Sequence, residues 1–242
     1  MTADRWMRAV RQQVGLGRIL PLGGARDGAW IAERAVETVL RRAVVRDAVG
    51  VRLNGVRVGL ADPEAATDEP VVPPPPSALP PGPLRLTVEF AATAAQPVPV
   101  TAARLRAVLA EAVVERIGLS VTSVDLRVTE LLDAEPAPVP VVEPGPEPVS
   151  GPSTDGDGSE VGRVAAAALA VTGVSRLTGT PGRSVHLTEQ PGGDALPRRH
   201  VRVDLAVAAG SGALDVALGV RAGVASVLPG GSTVAVLVTA VD

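Results

Sequence analysis

One pattern of strand, helix and strand occurs twice in the chain, first at Leu84–Leu132 and again at Val201–Val241. Each copy opens with a segment in which apolar residues occupy every second position, Leu84–Phe90 and then Val201–Val207. This alternation predicts strands with one buried face. The duplication restricts the chain to folds that can be built twice from one unit.

An amphipathic helix follows the opening strand of each copy. The residues at helical spacing are Leu105, Val108, Leu109, Ala112 and Val113 in the first copy, and Val216, Val220, Gly223, Val224 and Val227 in the second. The glycines of the second helix predict close packing against a neighbour. The closing strand Thr233–Val241 is nearly all apolar, which predicts a central strand. On the opening strand, Arg202 and Asp204 are expected to face outward.

Further elements precede the first copy. Apolar residues from Ala32 to Ala43 recur at helical spacing, with Glu37 four residues before Arg41 on the outer side. Two short strands, Val49–Leu53 and Val56–Leu60, then flank Asn54-Gly55, a pair typical of a tight hairpin turn. The order is therefore helix, three strands, helix, strand.

The second copy has the same order. Ser159 is placed to cap a helix with apolar residues at helical spacing up to Leu169. Strands at Val174–Leu177 and Arg183–Leu187 precede the alternating strand. We therefore predict an α+β protein with two tandem αβββαβ domains, each a small mixed sheet covered by two helices and joined by a Pro-rich linker.

Composition sets the domain boundaries. We predict an N-terminal amphipathic segment at residues 1–25, a first domain at 26–133 and a second domain at 159–242. The first domain contains a Pro-rich insertion at residues 61–83, expected to be extended or disordered and to act as a solvated spacer or, alternatively, as a ligand for an SH3-like groove. Residues 134–158, rich in proline and acidic residues, are expected to be a disordered linker.

The N-terminal segment is the candidate interaction site. Trp6 and Val10 lie one turn apart on a predicted helix, and Arg5, Arg8 and Arg11 surround them. One interpretation is a helix that docks on its own domain. The other is a basic amphipathic helix that binds an anionic membrane or a partner protein.

Composition also excludes several functions. The net charge is −3 and tyrosine is absent, which makes nucleic acid an unexpected partner. The chain has no cysteine and no lysine, which excludes disulfides, thiolate sites, a P-loop lysine and a Schiff base. No run of about 18 apolar residues and no signal-like apolar region occurs, so we expect a cytoplasmic protein without a transmembrane segment.

No catalytic, cofactor-binding or metal-binding residue can be assigned from the sequence. His186 and His200 lie in or beside predicted strands without the spacing of a metal site, and we expect them at the surface or on an edge strand. Asp155–Gly158 lacks the glycine and the glutamate of a calcium loop. We therefore expect a protein that is not an enzyme and needs no cofactor.

The segment Val161–Leu177, with its small-residue helix running into Thr172-Gly173-Val174, resembles the opening helix and strand of the alkaline-shock-protein family of envelope stress response proteins. His200–Val207 is similar to that family's central strand, and Ser211–Val241 to its second helix and last strand. The likeness extends more faintly to Ala32–Leu132. The chain also resembles an actinobacterial type in which an Arg-rich segment and Pro-rich spacers are added to such domains.

This resemblance implies a non-enzymatic scaffolding protein of cell-envelope stress homeostasis. Its expected partners are copies of itself, related family members or a membrane-anchored protein, and its expected location is the cytoplasm or the inner face of the membrane. Two copies in one chain depart from the family pattern, so the copies could satisfy each other's interface. The alternative hypothesis is a module that binds a small molecule or peptide in a pocket between the two repeats.

Overall fold

The computed structural model describes residues 15–64, 69–134, 136, 159–179, 183–190 and 198–242. Over these ranges the chain forms four α-helices and two mixed sheets, so the α+β class is confirmed. The elements are β1 (Ile19–Leu22), β2 (Ala29–Ala32), α1 (Glu33–Asp47), β3 (Val51–Leu60), β4 (Leu84–Thr93), α2 (Val98–Glu111), β5 (Val121–Leu132), α3 (Glu160–Leu169), β6 (Val174–Leu177), β7 (Val185–Gln190), β8 (Arg198–Val207), α4 (Ala213–Val227) and β9 (Thr233–Val241).

The first sheet has the order β3-β4-β5. β3 runs antiparallel to β4, and α2 crosses over to place β5 parallel to β4. The apolar positions of β4 are fully buried, as its alternation predicts. α2 continues into a π-helical turn, Ala112–Ile117, and this turn stops at Gly118, which has a φ of 85°.

The predicted hairpin at Asn54-Gly55 is wrong. Both flanking segments belong to the single strand β3, and the register with β4 shifts between Leu53 and Gly55. The Asn-Gly pair makes a bulge because both halves of β3 pair with β4 and neither pairs with the other. The first copy is therefore αββαβ.

The second sheet has the order β1-β2-β9-β8-β6, and β7 also pairs with β8. The element order αβββαβ is found in this copy, but β6 and β7 pair with successive parts of β8 and not with each other. Together they occupy the position that β3 has in the first sheet. The break between them replaces the bulge of β3.

Two predictions are confirmed here: the Ser159 hydroxyl caps α3 by accepting from Gly162 N at 3.1 Å, and β9 is central.

The hairpin of β1 and β2 was not predicted. β2 lies parallel to β9, so the second sheet contains two strands from the chain before the first copy. α1 starts directly after β2 and contacts both β3 and β9, and Arg42 Nη1 donates to Val241 O at 3.0 Å. The described buried side chains of both copies belong to one continuous core. The division into two domains remains a prediction.

Glu33, the first residue of α1, joins the two sheets. Its buried carboxylate accepts a hydrogen bond from Val58 N at 2.9 Å and a longer one from Arg18 N at 3.4 Å. Arg18 Nη1 in turn donates to Val58 O at 3.3 Å. A buried carboxylate needs such donors, and here they belong to β3 and to the segment that leads into β1.

The described part of the Pro-rich insertion packs on the fold, so the prediction of a solvated spacer is wrong for residues 69–83. Val72, Pro75 and Pro81 are buried, and Leu79 N donates to Ile19 O at 2.9 Å. The segment meets β1, the edge strand of the second sheet, at one parallel bridge between Ala78 and Ile19. Proline donates no hydrogen bond, so this segment ends the sheet without offering a regular new edge.

We predict that Gly118→Ala destabilises the fold more than Gly210→Ala. Both glycines have a φ of 85°, which costs an alanine about 1–2 kcal/mol. A Cβ at Gly118 would also lie 2.6 Å from Leu214 Cβ on α4, whereas nothing lies within 4 Å at Gly210. The clash adds roughly 1–3 kcal/mol. Urea unfolding measures both, and equal losses would show that the first copy does not pack tightly on α4.

Candidate functional site

A fully buried carboxylate, Asp204, lies on β8 opposite the break between β6 and β7. Its amide donates to Ser184 O and its carbonyl accepts from Thr178 N, both at 2.9 Å. Its side chain accepts from Arg202 Nε at 2.9 Å and from Arg202 Nη2 at 3.4 Å. The ion pair neutralises a charge that would be costly to bury alone. The prediction that Arg202 and Asp204 face outward into solvent is wrong, because both faces of β8 are covered here.

His186 on β7 approaches the same carboxylate. Its Nε2 lies 3.4 Å from Asp204 Oδ2, but this buried nitrogen has no hydrogen bond of good geometry. β7 is an edge strand and His186 is part-buried, in agreement with the sequence prediction. Arg202, Asp204 and His186 thus form one polar cluster on β7 and β8.

A second ion pair extends this polar cluster. Asp242 accepts hydrogen bonds from the Arg176 guanidinium and the Ser175 hydroxyl. Burial raises the pKa of Asp242, but these two hydrogen bonds and the charges of Arg176 and Arg42 outweigh it and hold the pKa below its usual range. The pair fixes β6 to the residue that follows β9.

His200 is buried on β8, and β8 is paired on both sides, so its predicted surface or edge position is wrong. Its Nδ1 lies 2.9 Å from Thr233 Oγ1. Burial and then the charge of Arg202 lower the pKa of His200 below its ordinary value. The described residues contain no group of three or more potential metal ligands.

Among the described strands, β5 has the longest edge without a backbone partner. β5 has twelve residues and pairs with β4 alone. Its counterpart in the second copy, β9, is paired on one side with β8 and on the other with β2. An unpaired edge presents amide and carbonyl groups that can bind another strand. We define the β5 edge as residues Val121–Leu132.

The outer edge of β3 contrasts with the β5 edge, because side chains occupy its backbone groups. Val58 N and Val58 O are bonded to Glu33 and Arg18, and Leu53 O accepts from Arg41 Nη1 at 2.6 Å. At the β5 edge, the described contact of this kind is a long one, from Arg106 Nε to Val124 O at 3.4 Å.

Side chains of the β5 edge alternate between two faces. Val124, Leu126 and Val128 continue the apolar face of β4, and Val128 remains 37% exposed. On the outer face, Asp125 lies 3.6 Å from Arg85, and Arg127 lies 3.6 Å from Glu89. The Arg127 side chain is 77% exposed. The edge therefore offers an apolar row and a charged row side by side.

The sequence-predicted interaction residues, Trp6, Arg5, Arg8, Val10 and Arg11, lie outside the described residues. Sequence reasoning identified β5 as a strand but missed its free edge. A usable signal was present: Val121–Leu132 keeps polar residues on one face, whereas Thr233–Val241 is apolar on both. Of these two closing strands, the one that is apolar on both faces is central in its sheet.

Comparisons with models of known protein families, with curated proteins and with solved structures return no match. The likeness to the alkaline-shock-protein family therefore rests on the sequence segments alone. None of the described helices is long and apolar enough to cross a membrane.

We predict that His200→Asn reduces the loss of stability on acidification. Because folding lowers the pKa of His200, the unfolded chain binds a proton more readily as pH falls through about 6.5, and the native state loses stability. Above that pH this contribution is fully present. Asparagine cannot be protonated but can still bond to Thr233. Urea midpoints measured at pH 7.5 and pH 5 should differ less in the variant, and equal differences would contradict the assignment.

Proposed function

We propose that this chain is a non-enzymatic structural protein of cell-envelope stress homeostasis that works by associating with other protein chains. The observation that carries the proposal is the unpaired β5 edge. Strand addition to such an edge satisfies backbone groups on both partners and needs no catalytic machinery. The partners are copies of the chain, related proteins or a membrane-anchored protein.

The envelope role is supported by the resemblance of Val161–Leu177, His200–Val207 and Ser211–Val241 to the alkaline-shock-protein family. The polar cluster supports the non-enzymatic part of the proposal, because Asp204 is buried and neutralised by Arg202, as in a structural ion pair. Self-association without chemistry is what that family likeness implies.

The alternative, a small-molecule or peptide site between the repeats, has less support. Gly118 of the first copy packs against Leu214 of the second, and its carbonyl accepts from Gly23 N, in the connection from β1 to β2, at 3.3 Å. A ligand there would have to displace these contacts.

Blocking the edge amides tests association by β5. The carbonyl of Val124 faces Arg106 and so points away from β4, and every second residue of a strand shares that direction. We therefore expect Val128→Pro to remove an outward amide while leaving the ladder to β4 intact. Val128→Thr keeps the amide and is the matched control.

The expected result is loss of association in Val128→Pro and its retention in Val128→Thr, measured by light scattering and by affinity capture with the full chain as bait. Circular dichroism and urea unfolding check that both variants fold. Equal association of the two variants, or none by the unaltered chain, would remove the support for this function.

We place the protein in the cytoplasm at the inner face of the membrane, with the N-terminal segment as the contact. Changing Arg5, Arg8 and Arg11 together to glutamate should abolish binding to vesicles of anionic lipid, measured by co-sedimentation. Arg34, Arg42 and Arg46 cannot serve as control positions, because Arg42 and Arg46 make contacts within the fold. Vesicles of neutral lipid are the control, and equal binding to both lipids would contradict this location.

A further inference from the structure

We propose that the partner of the β5 edge is the β5 edge of a second copy of this chain, paired antiparallel about Leu126 in a two-fold symmetric dimer. This inference rests on the proposed function and specifies its partner and register. It follows from the regularity of the strand, from its two faces and from the order of its charges.

The regular part of β5 is short and well defined. The register with β4 shifts at Thr122 and again at Thr129, each an extra residue on β5. The hydroxyls of these threonines donate to Leu84 O and Phe90 O, both at 3.3 Å. Between the two bulges, Ser123–Val128 forms an uninterrupted ladder. This is the segment that can accept a flat new strand.

The two faces of β5 restrict the register. Residues directly opposite each other in an antiparallel pair point to the same face. To keep the apolar residues on a common face, even-numbered residues must therefore oppose even-numbered residues, and odd must oppose odd. Within Ser123–Val128, three of these registers also place charged residues opposite each other, with Asp125, Leu126 or Arg127 on the two-fold axis.

Charge selects one of these three registers. With Asp125 on the axis, the two Asp125 carboxylates oppose each other, and with Arg127 on the axis the two guanidinium groups do. With Leu126 on the axis, Asp125 of each chain opposes Arg127 of the other. Like charges directly opposite destabilise a strand pair, and opposite charges stabilise it. The sequence around Leu126 is therefore self-complementary.

The remaining pairs agree with this register. Val124 opposes Val128 of the second copy, and Leu126 opposes its own counterpart, so the apolar face stays continuous. Asp125 and Arg127 already lie 3.6 Å from Arg85 and Glu89, and their side chains are 59% and 77% exposed. In the dimer, a row of four charges crosses four strands: Arg85 and Asp125 of one copy, then Arg127 and Glu89 of the second copy. Their signs alternate along the row.

The backbone groups also fit. Val124, Leu126 and Val128 direct their amides and carbonyls outward, so they form the hydrogen-bonded pairs. Asp125 and Arg127 then occupy the non-hydrogen-bonded sites, where opposing side chains lie closer together. Before the second strand can pair, the exposed Arg106 side chain must release Val124 O, to which it makes a long hydrogen bond. The bulges end the ladder at both sides and favour a closed pair.

The test exchanges the two charges. In a dimer of Asp125→Arg, the new arginine opposes Arg127 at both symmetric sites. In a dimer of Arg127→Asp, the new aspartate opposes Asp125 at both sites. Each single variant should dimerise about tenfold more weakly than the unaltered chain, measured by sedimentation equilibrium. An equimolar mixture of the two variants pairs opposite charges at both sites and should dimerise like the unaltered chain. The double variant should do so as well.

The mixture distinguishes weakened dimerisation from misfolding of the variants. Each variant carries the same substitution alone and in the mixture, so misfolding would not be corrected by mixing. Weak single variants and a restored mixture support the proposal. A monomeric unaltered chain, single variants that dimerise normally, or a mixture that is not restored would each overturn it.

These results also separate this inference from the proposed function. If the unaltered chain is monomeric but captures another protein, and Val128→Pro abolishes the capture, the homodimer is wrong and association by the β5 edge stands. If neither self-association nor edge-dependent capture occurs, both proposals fail.

Discussion

Every edge of a sheet exposes amide and carbonyl groups, and a chain with two sheets must provide for four edges. Three of them are modified in the described structure. Ala78 and Leu79 meet β1 at Ile19, side chains bond three backbone groups of β3, and the break between β6 and β7 interrupts the fourth strand position. Of the four, the β5 edge is the longest, and the described side-chain contact on its outward backbone groups is the long bond from Arg106.

The placement of α1 follows from the same need. β2 covers β9, and α1 leaves β2 directly, so the helix is held between the two sheets. The carboxylate of Glu33 then bonds to the edge of β3 through Val58 N. This one side chain fixes the start of α1 and occupies a backbone donor of the first sheet. The covering of β9 and the docking of the two sheets are therefore parts of one arrangement.

Local patterns predicted the elements better than their pairing. The alternation in Leu84–Phe90, the helical spacing from Leu105 and the cap at Ser159 depend on residues close in sequence, and all three are found. The hairpin at Asn54-Gly55 failed because an Asn-Gly pair suits a bulge as well as a turn, and the strand partner decided between them. β1 and β2 have four residues each, too few to show a period. Their partner β9 lies about two hundred residues further along the chain.

The candidate site could be predicted in part. Asp204 follows the alternation of a strand with one solvent-exposed face, and the sequence contains no sign that its side chain is fully buried. Burial of such a group depends on the whole fold, and Arg202 compensates for it locally. By contrast, the polar face of β5 is visible in the sequence. That this face indicates an edge strand follows from comparison with β9, which is apolar on both faces and central.

The two closing strands show why one edge is open. β9 is apolar on both faces and is buried between β8 and β2, whereas β5 carries Asp125, Arg127 and Thr129 on one face. A covered central position would bury these polar groups at a cost. Pairing with another edge strand leaves that face in water and adds only backbone bonds and the apolar row. The chemistry of β5 thus allows a neighbouring strand and disfavours a covering layer on its polar face, which is the requirement for a reversible contact between chains.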